Sequence, residues 1–265
     1  HPPPREKTPE EKYVLFYQDV CDEVMRFFRA TRPKRLILCV DGVAGASKMA
    51  QQRQRRFVSL RDSPPVPGKF SSVELTPGTK TELHLSEYID YFFRKKVSED
   101  PEFKEVEVIF SDQRVHGEGE HGVIYAFKKF GGPDESYCIH GMDADLTMLT
   151  LGTMLEKIYL IREDHRNRSR SYIVNIGKVR RALSKKMVPP SFRQLYTEEE
   201  YLVRTTNDFL LLAYFIGNDF LPILPTFDMM NSALDVCIST YSNLHFTEPR
   251  FLSYVAEDRT VVFNN

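Results

Sequence analysis

Apolar positions in this chain recur in two rhythms, long helical stripes and short unbroken runs. Residues 10–30, "EEKYVLFYQDVCDEVMRFFRA", predict a helix with Val14, Leu15, Val20, Val24, Phe27 and Phe28 on one stripe, ended by Pro33. The run "RLILCV" at 35–40 is short and β-branched and predicts a buried strand, closed by Asp41-Gly42. Residues 44–60 lack proline and predict a helix. Pro64, Pro65, Pro67, Gly68, Pro77 and Gly78 mark 61–80 as a loop. Further on, the pattern predicts helices over 83–97, 123–130, 144–151 and 198–216, with strands at 106–110, 137–140, 158–161 and 172–176. Strands alternating with helices predict an α/β fold with a central, mostly parallel sheet flanked by helices.

Composition narrows the class. At 265 residues, 42% hydrophobic and 28% charged, the chain is that of a globular protein, expected as one domain over 1–265. Its ends are a Pro-rich arm at 1–9 and a C-terminal helical extension at 226–265. No apolar run is long enough for a bilayer and no signal peptide is visible, so no membrane partner is expected. Cys21, Cys39, Cys138 and Cys237 are scattered without a CxxC pair, which argues against zinc and disulfides and fits a reducing compartment. Cytoplasmic placement is the expectation, with a nuclear one open. The first residue is His1, and an upstream segment is expected. The net charge of −1 gives no general attraction to nucleic acid, so a polyanion must be held by a local patch.

Such a patch stands beside an acid. In "DGVAGASKMAQQRQRRF", Asp41 ends the strand and Lys48, Gln52, Arg55 and Arg56 share one face of the following helix. That face suits a terminal phosphate dianion. The other acids repeat the placement. Glu118 and Glu120 follow the strand "VEVIF", Asp143 and Asp145 follow "YCIH", and Asp219 sits in "FIGNDF" past the long helix. The C-terminal edge of parallel strands is where ligands bind. Carboxylates gathered there repel one another unless a hard divalent cation intervenes. Two Mg²⁺ ions are a general arrangement for phosphodiester hydrolysis, one favouring the attacking water and the other the leaving oxygen.

The segments "VDGVAGASKMAQQRQRRF", "LTPGT", "VHGEGEH", "GMDADLTML" and "GNDFLPILP" resemble, in order, those of the XRN family of 5′→3′ exoribonucleases. The resemblance runs from about Lys34 to Pro225. It implies a fold related to the PIN and flap-endonuclease architecture. It implies that Asp41, Glu118, Glu120, Asp143, Asp145 and Asp219 ligate Mg²⁺, with Mn²⁺ as a substitute. It implies that Lys48, Gln52, Arg55 and Arg56 hold the 5′-monophosphate of a single-stranded RNA, which is degraded to mononucleotides, as in mRNA decay. It names no protein partner.

The sequence departs from the family in places. The family's upstream aspartate, in a strand close to "LDMNG", and the histidine after it do not stand here. "VAGASK" replaces "VAPRAK", "GEGEHG" replaces "GEGEHK", and no tryptophan is available to stack on RNA. An inactive member that binds RNA ends or a protein partner is therefore the alternative, and a structure-specific DNA endonuclease is a third. Simpler roles exist for single residues. A carboxylate between strand and helix commonly caps the helix, and "QRQRRF" alone is a solvated face. His116, His121 and His140 are expected to be structural. Phe209, Leu210, Tyr214 and Phe215 are expected in a core, and "KVRRALSKKM" at 178–187 as a solvated helix.

Overall fold

The computed structural model describes residues 9–62, 64, 66, 71–132, 134–164, 167–219, 221–225, 227, 232–247, 250–258 and 260–264. Most of the expected N-terminal arm and part of the 61–80 loop lie outside them. The chain divides into two compact units, one ending at Phe130 and one starting at Gly131.

The first unit runs α1 (Pro9–Thr31), β1 (Arg35–Cys39), α2 (Ala46–Asp62), α3 (Lys80–Glu99), β2 (Glu107–Ser111) and α4 (Gly119–Phe130). Its core joins Tyr17, Cys21, Met25 and Phe28 of α1 to Leu85, Ile89 and Phe93 of α3 and to Phe103. Phe28 and Phe103 stack with centroids 4.3 Å apart. The α1 stripe is rotated from the expected one. Tyr17, Cys21, Met25 and Phe28 face inward at helical spacing, while Val14 is exposed. Tyr17 can turn inward because its hydroxyl finds a carbonyl, that of Thr81. Strand β1 pairs with β2 in parallel, Arg35 opposite Glu107 and Cys39 opposite Ser111, and α4 packs on β1.

The second unit runs β3 (Tyr137–His140), α5 (Asp145–Gly152), β4 (Ile158–Asp164), β5 (Asn167–Asn175), α6 (Ile176–Met187), α7 (Pro190–Arg193), α8 (Glu198–Tyr214), α9 (Ala233–Thr247), β6 (Ser253–Val255) and β7 (Val261–Phe263). Helices α5, α6, α8 and α9 pack on one another, with α6 also on β4. Asp208 of α8 is fully buried at the junction. It accepts hydrogen bonds from Tyr241 Oη (2.5 Å), the Leu252 amide (2.8 Å) and Ser253 Oγ, tying α8 to α9 and β6. Burial pushes its carboxyl up from the usual range, and the three donors pull it back.

The mixed α/β class holds, but the described residues do not form one central sheet. They form three small ones: β1–β2 parallel, β3–β4 parallel with β5 antiparallel to β4, and β6–β7 antiparallel. Helices lie between the parallel partners, as the alternation predicts. Strand β5 follows β4 too closely for a crossover and therefore turns back. Residues 226–265 contain α9 and the β6–β7 hairpin, so the extension is only partly helical. Tyr214 and Phe215 are exposed rather than in the core, because α8 ends there. Helix α6 is not simply solvated. Arg180 is buried and donates to the Leu151 and Leu155 carbonyls at the end of α5. Among the described residues no helix is long and apolar enough to cross a membrane.

Candidate functional site

In the first unit, backbone hydrogen bonds join the turn after β1 to the loop before α4. Gly42 N donates to Gly117 O (2.8 Å) and Gly117 N to Val43 O (3.0 Å). The approach is too close for a side chain at 42: a Cβ there would lie 1.7 Å from the Val115 carbonyl oxygen. Gly119 is equally confined, since its Cβ would meet Cys39 O at 2.8 Å. This junction brings "VDG" and "HGEGEH" together.

Asp41 lies at the junction and its Oδ1 accepts the Gly119 amide at 2.7 Å. It thus satisfies a free N–H at the start of α4, not of α2, the helix that follows it in sequence. Helix α4 begins at Gly119, four residues before the expected start, so Glu120 stands in its first turn. Glu118 is nearly buried. Its Oε1 lies 2.7 Å from Lys48 Nζ, and Lys48 is itself buried. The contact is a short, largely buried ion pair. His121 Nε2 is 3.9 Å from the other Glu118 oxygen. Along α2, Arg56 Nη2 donates to Gln52 Oε1 at 3.2 Å, both side chains half-buried, while Arg55 is exposed. Lys48, Gln52 and Arg56 therefore form the expected row, with Glu118 at its start.

A carboxylate that the sequence reading missed joins this group. Glu82, near the start of α3, is 6% exposed, and its Oε2 receives no hydrogen bond. Its backbone amide donates to Thr79 Oγ1, the N-cap of α3. Thr-x-x-Glu is the pattern of a reciprocal helix cap, a bland reason for a glutamate here. That box is not closed: the Thr79 amide donates to the Thr76 carbonyl instead. Burial, then the nearby Asp41 carboxylate, push the Glu82 carboxyl up to about 7, and the Arg56 guanidinium opposes them.

In the second unit, Asp143 is exposed and Asp145 is the first residue of α5. Their loop is held from β4 by Arg162. Its Nη1 donates to Met142 O (3.2 Å), and its Nη2 to Asp143 O (2.6 Å) and Thr147 Oγ1 (3.0 Å). All these bonds leave the two carboxylates uninvolved. Asp219 sits in a turn where Asn218 N donates to Leu221 O and Leu221 N to Asn218 Oδ1. Gly217, at φ +79°, makes that turn possible.

Within either unit, no three acidic, His or Cys side chains among the described residues stand close enough to share one metal ion. The donor chemistry nonetheless suits a hard cation. Glu82 Oε2 is a buried oxygen that receives no hydrogen bond among the described residues, Glu118 keeps a second oxygen beyond the one at Lys48, and Asp41 uses one oxygen on Gly119. Lys48 Nζ stands beside Glu118 as a positive charge that such an ion would supplement.

Residues 2–164 match the profile described as XRN 5′-3′ exonuclease N-terminus, and residues 199–264 match that of the Xrn1 helical domain. The chain is 31% identical over 253 residues to 5′-3′ exoribonuclease 1 of Saccharomyces cerevisiae, covering 85% of this chain and 17% of that protein. It is 32% identical over 265 residues to 5′-3′ exoribonuclease 1 of Schizosaccharomyces pombe, 89% of this chain and 20% of that one. It is 28% identical over 319 aligned positions to 5′-3′ exoribonuclease 2 of Arabidopsis thaliana, 94% of this chain and 31% of that one. The chain thus spans less than a third of the length of each of these relatives. With the N-terminal profile matching more than half of its residues, the chain belongs to the XRN 5′-3′ exonuclease family.

Proposed function

We propose that the protein is a 5′→3′ exoribonuclease that hydrolyses single-stranded RNA bearing a 5′-monophosphate to mononucleotides with two Mg²⁺ ions. The observation that carries this is the meeting of Lys48 with Glu118. It sets the first residue of a cationic helical row against the acid-bearing loop, so an anion-binding surface adjoins oxygen ligands. The names of the relatives support the same direction of degradation. The fold is proposed to be of the PIN and flap-endonuclease type.

In this proposal Asp41, Glu118, Glu120, Asp143, Asp145 and Asp219 hold the cations. When bound, the cations stabilise the negative charge that develops at the scissile phosphate. Lys48, Gln52, Arg55 and Arg56 hold the terminal phosphate through charge-assisted hydrogen bonds and so set the distance to the bond cleaved. Gln52 fixes the Arg56 guanidinium before RNA arrives. The Gly119 amide fixes Asp41 in the same way, which reduces the ordering left to the moment of binding.

The test is decay of a 5′-labelled RNA carrying a monophosphate, beside the same RNA with a triphosphate or hydroxyl end, in Mg²⁺ and in EDTA. Mononucleotides are expected from the monophosphate RNA alone and only with metal. The Lys48–Glu118 contact also favours a second reading, since it already neutralises one proposed ligand: an inactive member that binds RNA ends. Binding without release in every arm would establish that one instead.

A further inference from the structure

Glu82 has no part in the function proposed above, yet nothing structural accounts for its burial. Only 6% of it is exposed, and among the described residues its Oε2 receives no hydrogen bond and no ion pair holds it. Burying an unpaired carboxylate is costly, and proteins resolve the cost with a proton, a positive partner or a metal. The helix-capping explanation fails, because the Thr79 amide is already used by the Thr76 carbonyl. Arg56 acts on Glu82 electrostatically, but its hydrogen bond goes to Gln52. The other charge acting on Glu82 is that of Asp41, which has the same sign.

Backbone contacts bring the start of α3 to the turn that carries Asp41. Gly78 N donates to Gln113 Oε1 at 3.2 Å, tying the turn before α3 to the segment after β2. Thr79 Oγ1 then caps α3 through the Glu82 amide. Gln113 also borders the Asp41–Gly42 turn, its carbonyl oxygen lying 3.0 Å from where a Gly42 Cβ would stand, so the start of α3 and the end of β1 meet at one residue. Two such carboxylates, one with a buried bare oxygen, are the donor set that a hard cation takes.

We infer that Glu82 is a further carboxylate of the divalent-cation site at Asp41, an inference that rests on the metal-dependent reading above. The role is distinct from that of the phosphate-binding row, although Arg56 is near both.

Mn²⁺ is the probe, with free ion measured by electron paramagnetic resonance during titration of the full chain. Wild type, Glu82→Gln and Asp41→Asn are compared, each also melted in EDTA and in Mn²⁺. Glu82→Gln is expected to weaken Mn²⁺ binding by about 10-fold or more. It should melt no lower than wild type in EDTA, since an unpaired buried charge is gone, and gain less from added Mn²⁺. Glu82→Met, which fills the same buried space without oxygen, is expected to lose affinity as well. Unchanged Mn²⁺ affinity in Glu82→Gln with weakened binding in Asp41→Asn overturns the inference and leaves the metal site standing. Unchanged affinity in all variants overturns both. A lower melting point in EDTA with unchanged affinity assigns Glu82 to structure alone, and unchanged affinity with an altered preference for monophosphate ends assigns it to the phosphate-binding row; either result overturns the inference.

Discussion

The two units hold their proposed acids in opposite ways. In the first, the carboxylates are committed before any ligand arrives: Asp41 to the Gly119 amide and Glu118 to Lys48. In the second, Arg162 holds the backbone around Asp143 and leaves the carboxylates of Asp143 and Asp145 out of its bonds. The first arrangement couples chemistry to stability, because removing an acid also removes a contact that holds the fold. The second separates them, because the loop keeps its shape whatever its side chains are.

Activity and stability of paired variants test that contrast. Glu118→Gln and Asp143→Asn are each expected to reduce RNA hydrolysis by at least about 100-fold, as loss of a cation ligand should. Urea denaturation in EDTA should then separate them. Glu118→Gln removes a charge paired with buried Lys48 and is expected to cost about 3 kcal/mol. Asp143→Asn, at an exposed position, should stay within about 0.5 kcal/mol of wild type. Equal stability losses would erase the distinction.

The next effect is set by pH. The folded Glu82 carboxyl is raised to about 7, above its unfolded value of 4.5, so between these values the folded state binds the extra proton. Its contribution to stability is fully present below pH 4.5 and is lost as pH rises through about 7, about 3 kcal/mol in all. In EDTA, Glu82→Gln should remove that part of the pH dependence. An unchanged profile would show that the carboxyl is not raised.

Smaller effects sharpen the assignment of roles. Arg56→Ala is expected to reduce the preference for a monophosphate over a hydroxyl end by about 10-fold, the worth of one charge-assisted contact, with Mn²⁺ affinity retained. Arg162→Ala should cost about 1 kcal/mol and lower activity by less than the loss of Asp143 does, because it loosens a loop without removing an acid. An Arg162→Ala protein as inactive as Asp143→Asn would mean that loop position matters as much as the carboxylate.

Much of this was legible in the sequence. Strand β3 and the borders of α2 follow from apolar run length and from glycine and proline punctuation. The two parallel pairs follow from the alternation of strands with helices. The N-terminal half of α4 stayed hidden because Gly119 and Gly122 weaken the helical pattern. They are there because that face of α4 meets Cys39 too closely for larger residues. The inward face of α1 was only partly placed: Val20, Val24 and Phe28 do pack on the core, but tyrosine, cysteine and methionine, which the apolar stripe left out, form most of its buried centre. The single sheet failed because alternation predicts which strands run parallel, not which sheet they join. Glu82 was missed for another reason: it stands near the start of a helix, not after the end of a strand, where the acids were sought. The pairing of Lys48 with Glu118 joins residues distant in sequence, and no local pattern contains it.

The contact at Gly42 bears on inheritance as much as on chemistry. A Cβ there collides with the Val115 carbonyl and pushes apart the two turns that bring Asp41 to Gly119. An allele with alanine at 42 would keep every acid, lysine and arginine of the site and still scatter them. A genetic screen would score such an allele as null, although no reactive group had been altered.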